Sequence, residues 1–387
     1  MLQRWLQPGI LPIGLDCGSS GAKALQLRRF RGALSVVGAA RINLPDQIED
    51  PIARAKALAQ GVARRLDTSG FVGRQCVVAI DDRLVRTRSV RLPILSDIET
   101  DKAVRVDGSQ RLGFDTPDAE IGWLRAGQVR QGDELREEVI LAGASHHDVG
   151  VIVDALLEQN ITPIAVEPAF LALARAIGRF YRRQDDQRHM RIVVDVGWTT
   201  STVIALRGSS VSFVKPLEFG GQLLDDAAAQ RLNLDSESIA ALRRDRQRAA
   251  TDDPSISIDP RIDRAIFDAV RPTIADLAHE ISLCIRYLLV TFRGDRPQEI
   301  LLVGGEAAEP RLAEVIQETT DVPTRLARPL EGIDLAQASF AGADRRGALN
   351  QWAVAAGLSF RGDAPASAAP SLIQRLASVR KPRSRAA

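Results

Sequence analysis

A chain of 387 residues, 45% hydrophobic and with a formal charge of only +2, is long enough for about two buried cores and too apolar to remain unfolded. The near balance of charge gives no reason to expect a nucleic-acid partner. No stretch approaches the ~18 consecutive apolar residues of a spanning helix, and "MLQRWLQPGILP" lacks the apolar core of a signal peptide. The chain is therefore expected in the cytoplasm, with Cys17, Cys76 and Cys284 reduced.

After an N-terminal arm (1–11), "IGLDCGSSGAKALQL" gives an apolar run ending at Asp16, a turn of Gly18, Ser19 and Ser20, and an alternating strand through Lys23. "ALSVVGAARINL" adds a third strand, so three antiparallel strands are expected. From about Leu84 to Asn160 the pattern is strand ("RTRSVRLP"), helix ("SDIETDKAVRVDGSQRLGF"), two strands ("AEIGWLRAGQV", "EEVILAGASH") and helix ("DVGVIVDALLEQN"). A helix "VEPAFLALARAIG" opens at Glu167. Then "IVVDVGWTTSTVIAL" repeats the first hairpin, with Asp195, Gly197, Thr199 and Thr200 in the turn, and "SVSFVKPLEF" repeats its third strand.

Gly220 and Gly221 precede the next helix. From Arg261 to Phe292, Ile262, Ile266, Val270, Ile274, Leu277, Ile281, Ile285 and Leu288 recur at helical spacing, as one helix or a pair interrupted near Pro272. "EILLVGGEAAEPRLAEVIQ" follows as a strand, a Gly304–Gly305 turn carrying Glu306, and a helix. Beyond "RGDAPASAAP", a linker by composition, "SLIQRLASVRKPRSRAA" is basic and weakly amphipathic. Its composition favours disorder, with weak peripheral contact to anionic lipid as the alternative.

The repeated turn carries the chemistry. Glycine lets a ligand approach the backbone, successive N–H groups and hydroxyls can surround phosphate oxygens, and an Asp at a strand end can hold magnesium through water. Either turn alone is more simply an ordinary hairpin; two copies point to domains facing each other across one polyphosphate. No GxxxxGK[ST] and no strand–GxGxxG–helix is present, which excludes the P-loop and Rossmann modes. The four histidines have no metal spacing, and there is no GxSxG elbow.

In this order the pieces resemble the actin-like ATPase superfamily. "SSGAK", "EPAFLALAR", "EFGGQLLDDAAAQRL", "HEISLCIRYL" and "AAGLSFRG" narrow the resemblance to the PilM family of type IV pilus assembly, with FtsA as a more distant relative. The resemblance implies an α/β fold of duplicated ribonuclease-H-like type. Domain I would be 12–83 plus 161–190, an inserted subdomain 84–160, domain II 191–360 and a basic tail 361–387. It implies ATP and Mg²⁺ in the cleft. Asp16 and Asp195 would hold the metal through water, with Gly18, Ser19, Ser20, Gly197, Thr199 and Thr200 around the phosphates.

Lys23 is the lysine that could join the phosphates unless strand alternation turns it away. Gly220 and Gly221 would shape the cleft wall, and Gly304, Gly305 and Glu306 would form the adenosine loop. Glu167 would orient a water, although a helix N-terminal carboxylate is an equal reading. Two departures stand out: Glu306 replaces a third glycine, and Ala240 and Arg243 stand where relatives carry an Ala-Glu-x-x-Lys-like helix.

The partners implied are the N-terminal cytoplasmic peptide of a PilN-like inner-membrane protein, held in a groove involving the inserted subdomain, and other pilus platform proteins. An FtsA-like division protein, a type II secretion platform protein and a small-molecule kinase remain open from the residues alone.

Overall fold

A computed structural model of the chain describes residues 9–44, 48–115, 118–250, 256–292, 296–336, 338, 340 and 347–363. The tail's proposed lipid contact and the first eight residues lie outside this set. Strand β1 (Gly9–Gly18) starts within the expected arm and turns tightly into β2 (Gly21–Phe30), which turns again into β3 (Ala33–Asn43). Helix α1 (Pro51–Thr68) follows, with Asp50 accepting from the Ala53 N–H at 2.7 Å and Pro51 at its start. Its apolar stripe of Ala55, Leu58, Ala59, Val62 and Leu66 is buried with Ile13 and Leu15 of β1.

After β4 (Gln75–Ala79), the chain leaves the sheet to build β5 (Arg86–Leu92), α2 (Asp97–Leu112), β6 (Ala119–Gln131) and β7 (Glu134–Ser145). These form a three-stranded antiparallel sheet, β5-β7-β6, closed by α2 over Val90, Val104, Leu112, Val139 and Leu141. The α2 N-terminus is fixed by a reciprocal Ser96–Glu99 capping box, and Gly113 (φ 73°) ends it in the left-handed conformation. The sequence pattern put the next helix, α3 (His146–Glu158), in this module, but its buried face packs on the first lobe instead. Val149, Ile152, Ala155 and Leu156 pack with Leu58 and Val62 of α1, so the insertion ends by packing at Ser145.

Strand β8 (Thr162–Glu167) completes the first sheet in parallel with β4, giving the order β3-β2-β1-β4-β8. The second sheet repeats it: β9 (Met190–Val196), β10 (Ser201–Arg207) and β11 (Ser210–Leu217) are antiparallel, and β12 (Ile300–Val303) and β13 (Thr324–Leu326) join in parallel. The resulting order, β11-β10-β9-β12-β13, matches the first strand for strand, as duplication requires.

Helices α5 (Gly221–Leu232), α6 (Ser236–Ala250), α7 (Pro260–Phe292) and α8 (Leu312–Thr320) contribute to the core of this lobe. Helix α7 runs unbroken through Pro272. That residue and Asp268, the carbonyl partner it leaves unpaired, are both on the exposed side, where water can satisfy the loss.

Two helices connect the lobes and lie between the sheets: α4 (Ala169–Gly178) and α9 (Ala353–Ser359). Phe170, Leu173, Val354 and Leu358 pack there with Val77 of the first sheet and Val193, Ile204 and Leu301 of the second. The crossing is close, because a Cβ on Gly357 would stand 1.9 Å from the Ala172 carbonyl oxygen and one on Gly14 would stand 1.9 Å from that of Ala355. Helix α9 thus rests on β1. Leu330, Ile333, Phe340, Leu349 and Trp352 are likewise buried with Leu11, Leu25, Leu27 and Val36 of the first lobe. By packing, the expected boundary at residue 360 moves back to just after β13, because the chain must return to the first lobe to close the pair.

No helix among the described residues is long and apolar enough to cross a membrane. All three cysteines are buried and free.

Candidate functional site

With both sheets built alike and held across α4 and α9, the β1–β2 and β9–β10 turns meet at one cleft. Asp16, Gly18, Ser19, Ser20 and Lys23 line it from the first lobe, and Asp195, Gly197, Thr200 and the Gly304–Glu306 turn line it from the second. The cleft encloses about 100 Å³, below the roughly 300–1,000 Å³ of small-molecule sites. A direct bond ties the lobes together there: Thr202 Oγ1 donates to Asp82 Oδ2 at 3.0 Å. A nucleotide-sized ligand therefore enters only if the lobes part.

The first turn is fixed from outside the cleft. Gly21 (φ 145°) sits so close to the Ile42 carbonyl that a Cβ would lie 2.0 Å from its oxygen, and the Arg54 guanidinium on α1 binds the Ser19 carbonyl. Lys23 is opposite Asp16 in the hairpin register, and its ammonium stands 3.7 Å from Asp16 Oδ2. Pairing register thus turns Lys23 into the cleft, settling the question that strand alternation left open.

The second turn anchors α5. Gly197 N–H bonds the Thr200 carbonyl at 3.1 Å, Gly221 N–H the Gly197 carbonyl at 3.0 Å, and Gln222 N–H the Trp198 carbonyl at 2.9 Å. Gly220 and Gly221 do not line the cleft; Gly220 lets α5 approach this turn, since a Cβ there would be 2.3 Å from the Trp198 oxygen, and Gly221 makes room for the Glu306 side chain, 2.4 Å from where its Cβ would stand. Thr199, expected around the phosphates, does not line the cleft, and its Oγ1 is buried without a hydrogen-bond partner.

Three carboxyls meet with little opposing charge. Burial raises Asp16, offset in part by the Lys23 ammonium. Asp82 is raised to about 6, first by burial, against the lowering effect of the Thr202 hydrogen bond. Asp195 is raised to about 7 by burial and then by the Asp82 and Asp16 charges. Asp81 also lines the cleft. Sequence reasoning missed Asp81 and Asp82, although an acidic pair directly after the apolar run "CVVAI" was the signal available. Arg41, Asn350 and Gln351 also line the cleft and were missed, lacking any local motif.

The two departures near the expected adenosine loop turn out to be partners. Glu306 accepts from Arg243 Nη2 at 2.8 Å and from Gln247 Nε2 at 3.0 Å. Arg243 also binds the Gly221 carbonyl at 2.9 Å, Asp225 at 2.5 Å and Glu309 at 3.1 Å. Arg246 extends the network to Glu309 at 2.7 Å and Asp263 at 2.8 Å. Burial pulls the Arg243 guanidinium down, but Glu309, Glu306 and Asp225 outweigh it and hold it above the usual range. Glu306 is thus ion-paired to α6, sharing Arg243 with Asp225 and Glu309. Ala240, on the same helix, does not line the cleft.

Glu167 is a correction. It is the last residue of β8, 1% exposed, and both carboxylate oxygens are engaged, one by Arg175 and the other by Arg361. It does not line the cleft, so it is placed to fasten the C-terminal end of α9 rather than to orient a water.

The donor set is hard: carboxylates, hydroxyls and backbone N–H groups. That chemistry fits a polyphosphate with a hydrated divalent cation, and the under-compensated carboxyls of Asp82 and Asp195 leave capacity for the cation. Among the described residues no three His, Cys, Asp or Glu side chains converge as a direct metal-ligating set, so the fit is to a cation that keeps its water.

A family model described as type IV pilus assembly protein PilM matches residues 14–363. Among solved structures, the chain is similar to one described as a PilM-PilN type IV pilus biogenesis complex. There the TM-score is 0.74 and the identity 21%, covering 92% of this chain and 99% of that one. It is also similar to the ethanolamine utilization protein EutJ from Carboxydothermus hydrogenoformans, with TM-score 0.49 and 14% identity, covering 92% and 90%. The two-lobed architecture is the actin-like fold. On a match that runs over nearly all of its length, the chain belongs to the type IV pilus assembly PilM family.

Proposed function

We propose that this chain is a cytoplasmic adaptor of the pilus inner-membrane platform. It would hold ATP and Mg²⁺ between its lobes and capture the N-terminal cytoplasmic peptide of a PilN-like membrane protein, near the inserted subdomain. The observation that carries the nucleotide half is the pair of facing turns, each with an Asp at the strand end. Asp16 and Asp195 would hold the hydrated magnesium. Gly18, Ser19, Ser20, Lys23, Gly197 and Thr200 would hold phosphate, and Gly304 and Gly305 would lie against the nucleoside. Magnesium bound there would neutralise phosphate charge. Glu167, held by two arginines, argues for a binding role ahead of turnover.

Family membership supports the partner half. A clamp that sets the angle between lobes also gives nucleotide a route to partner affinity, provided the two arrangements bind the partner differently. The test is calorimetry of ATP with magnesium on the native chain and on Asp16→Ala. Micromolar binding lost in the variant supports the clamp, and no binding by the folded native chain overturns it. Titrating a synthetic PilN N-terminal peptide with and without saturating ATP then tests the coupling, which equal affinities would refute.

A further inference from the structure

Between the outer strand β3 and helix α1 runs a groove of about 470 Å³, lined by Arg41, Ile42 and Asn43 of β3 and by Gly61, Arg64, Arg65 and Thr68 of α1. That volume falls within the range of ligand sites, roughly 300–1,000 Å³. The floor is apolar. Ile42 is buried, and Gly61 lets α1 settle onto it, since a Cβ there would come 2.6 Å from Ile42 Cγ2.

The rim is cationic. Arg41 Nε bonds the neutral Asn43 Oδ1 at 2.9 Å, and the nearby acid of α1, Asp67, is held by Arg74. The exposed Arg64 and Arg65 guanidinium groups make no ion pair among the described residues, whereas Arg105 and Arg111 on α2 each pair with an Asp four residues earlier. A guanidinium fork suits a carboxylate's two oxygens.

The backbone supplies the second element. The outer side of β3 is bridged at Ser35 to Asp334, with Val36 N–H bonding the Asp334 carbonyl at 2.9 Å. Further along, among the described strands β3 has β2 as its one neighbour. An open strand edge is a template for an added strand.

We propose that this groove receives a short, extended, Asp/Glu-rich segment of a partner polypeptide, which adds to the β3 edge and sets its carboxylates on Arg41, Arg64 and Arg65. An isolated anion would satisfy the arginines and leave the apolar floor and the strand edge unused; an alternating acidic and apolar strand uses all three. The groove is distinct from the cleft except at Arg41, which lines both.

The test is fluorescence anisotropy of a labelled alternating Glu/Val heptapeptide with the full chain. The expected result is saturable binding, weakened at least tenfold in the Arg64→Glu/Arg65→Glu variant. The same loss is expected for a peptide N-methylated at every amide, which keeps its charge and can pair with a strand through neither edge. Both arginines are exposed, so an unchanged thermal melt should show that the variant folds. Equal binding to native and variant chains overturns the site, and undiminished binding of the N-methylated peptide overturns strand addition. Tighter binding to phosphatidylglycerol vesicles than to the peptide, lost in the same variant, overturns the polypeptide in favour of a lipid surface.

Discussion

Arg243 Nη2 donates to Glu306 Oε2 at 2.8 Å across 63 residues of sequence. Each residue alone looks like damage to a nucleoside pocket. Together, with Asp225 and Glu309, they form a buried charge network that locks the Gly304–Glu306 turn to α5 and α6. Replacing Arg243 with Met should cost about 3–5 kcal/mol, because three carboxylates lose their shared counter-charge in a dry site. Glu306→Gln, at a side chain 16% exposed, should cost about 1–2 kcal/mol. Urea unfolding measures both, and a near-neutral Arg243→Met would remove the network as a structural element.

The Thr202–Asp82 hydrogen bond joins the lobes over the cleft. Thr202→Val should lower stability by about 1 kcal/mol and let the lobes separate more readily. Small-angle scattering should then report a larger radius of gyration for the variant. An unchanged profile would mean that other contacts hold the cleft shut.

Stability should also depend on pH in the range where the cleft carboxyls titrate. A carboxyl whose pKa is higher in the folded chain than in the unfolded one contributes stability that is complete below about pH 4. That contribution is lost as pH rises through about 6 for Asp82 and about 7 for Asp195. With a chelator present, Asp195→Asn should therefore raise the melting temperature relative to the native chain at pH 8 and not at pH 4. Parallel melting curves for the two proteins across that range would contradict the assignment.

The crossing of α4 and α9 leaves no room for a methyl group. Gly357→Ala should cost about 1–3 kcal/mol, since the obstacle is the Ala172 carbonyl rather than a side chain that can swing away. Gly150→Ala, in α3 with nothing within 4 Å of the new atom, should instead stabilise by about 0.5–1 kcal/mol. Thermal unfolding of the pair separates close packing from backbone entropy.

Glu167→Gln should lower stability and leave ATP affinity unchanged, because the side chain faces Arg175 and Arg361 rather than the cleft. Loss of nucleotide binding by a well-folded variant would restore Glu167 to the site.

Local pattern was enough to find most of this cleft. Asp16, Gly18, Asp195 and Gly197 stand at the ends of apolar runs, where a period-two strand must stop, and their repetition showed that two like sheets were present. Arg41 carries no such mark, and the Asp81–Asp82 pair, though it follows an apolar run, has no repeat in the second half, where Gly304 and Gly305 follow Ile300–Val303. Asp82 lines the cleft and accepts a hydrogen bond from Thr202 of the other lobe, and Arg41 lines it from β3 beside the first turn. Glu167 erred in the other direction: its place before a helix suggested chemistry, while one of the two arginines that engage it, Arg361 just past α9, lies 194 residues away.

Local spacing was enough for the two hairpins, the long helix, the duplication and the two phosphate-type turns, because each depends on neighbours within a dozen or so residues; α1, β4 and β8 were not read from it. Which side chains share a space was set only once the chain had folded. Folding turned Lys23 inward by hairpin register, paired Glu306 with Arg243, gave α3 and α9 to the first lobe, and left Arg64 and Arg65 facing an open strand edge. Those outcomes depend on contacts between segments far apart in the chain, where burial and opposing charge act through distance in space and leave no periodic trace in the order of residues.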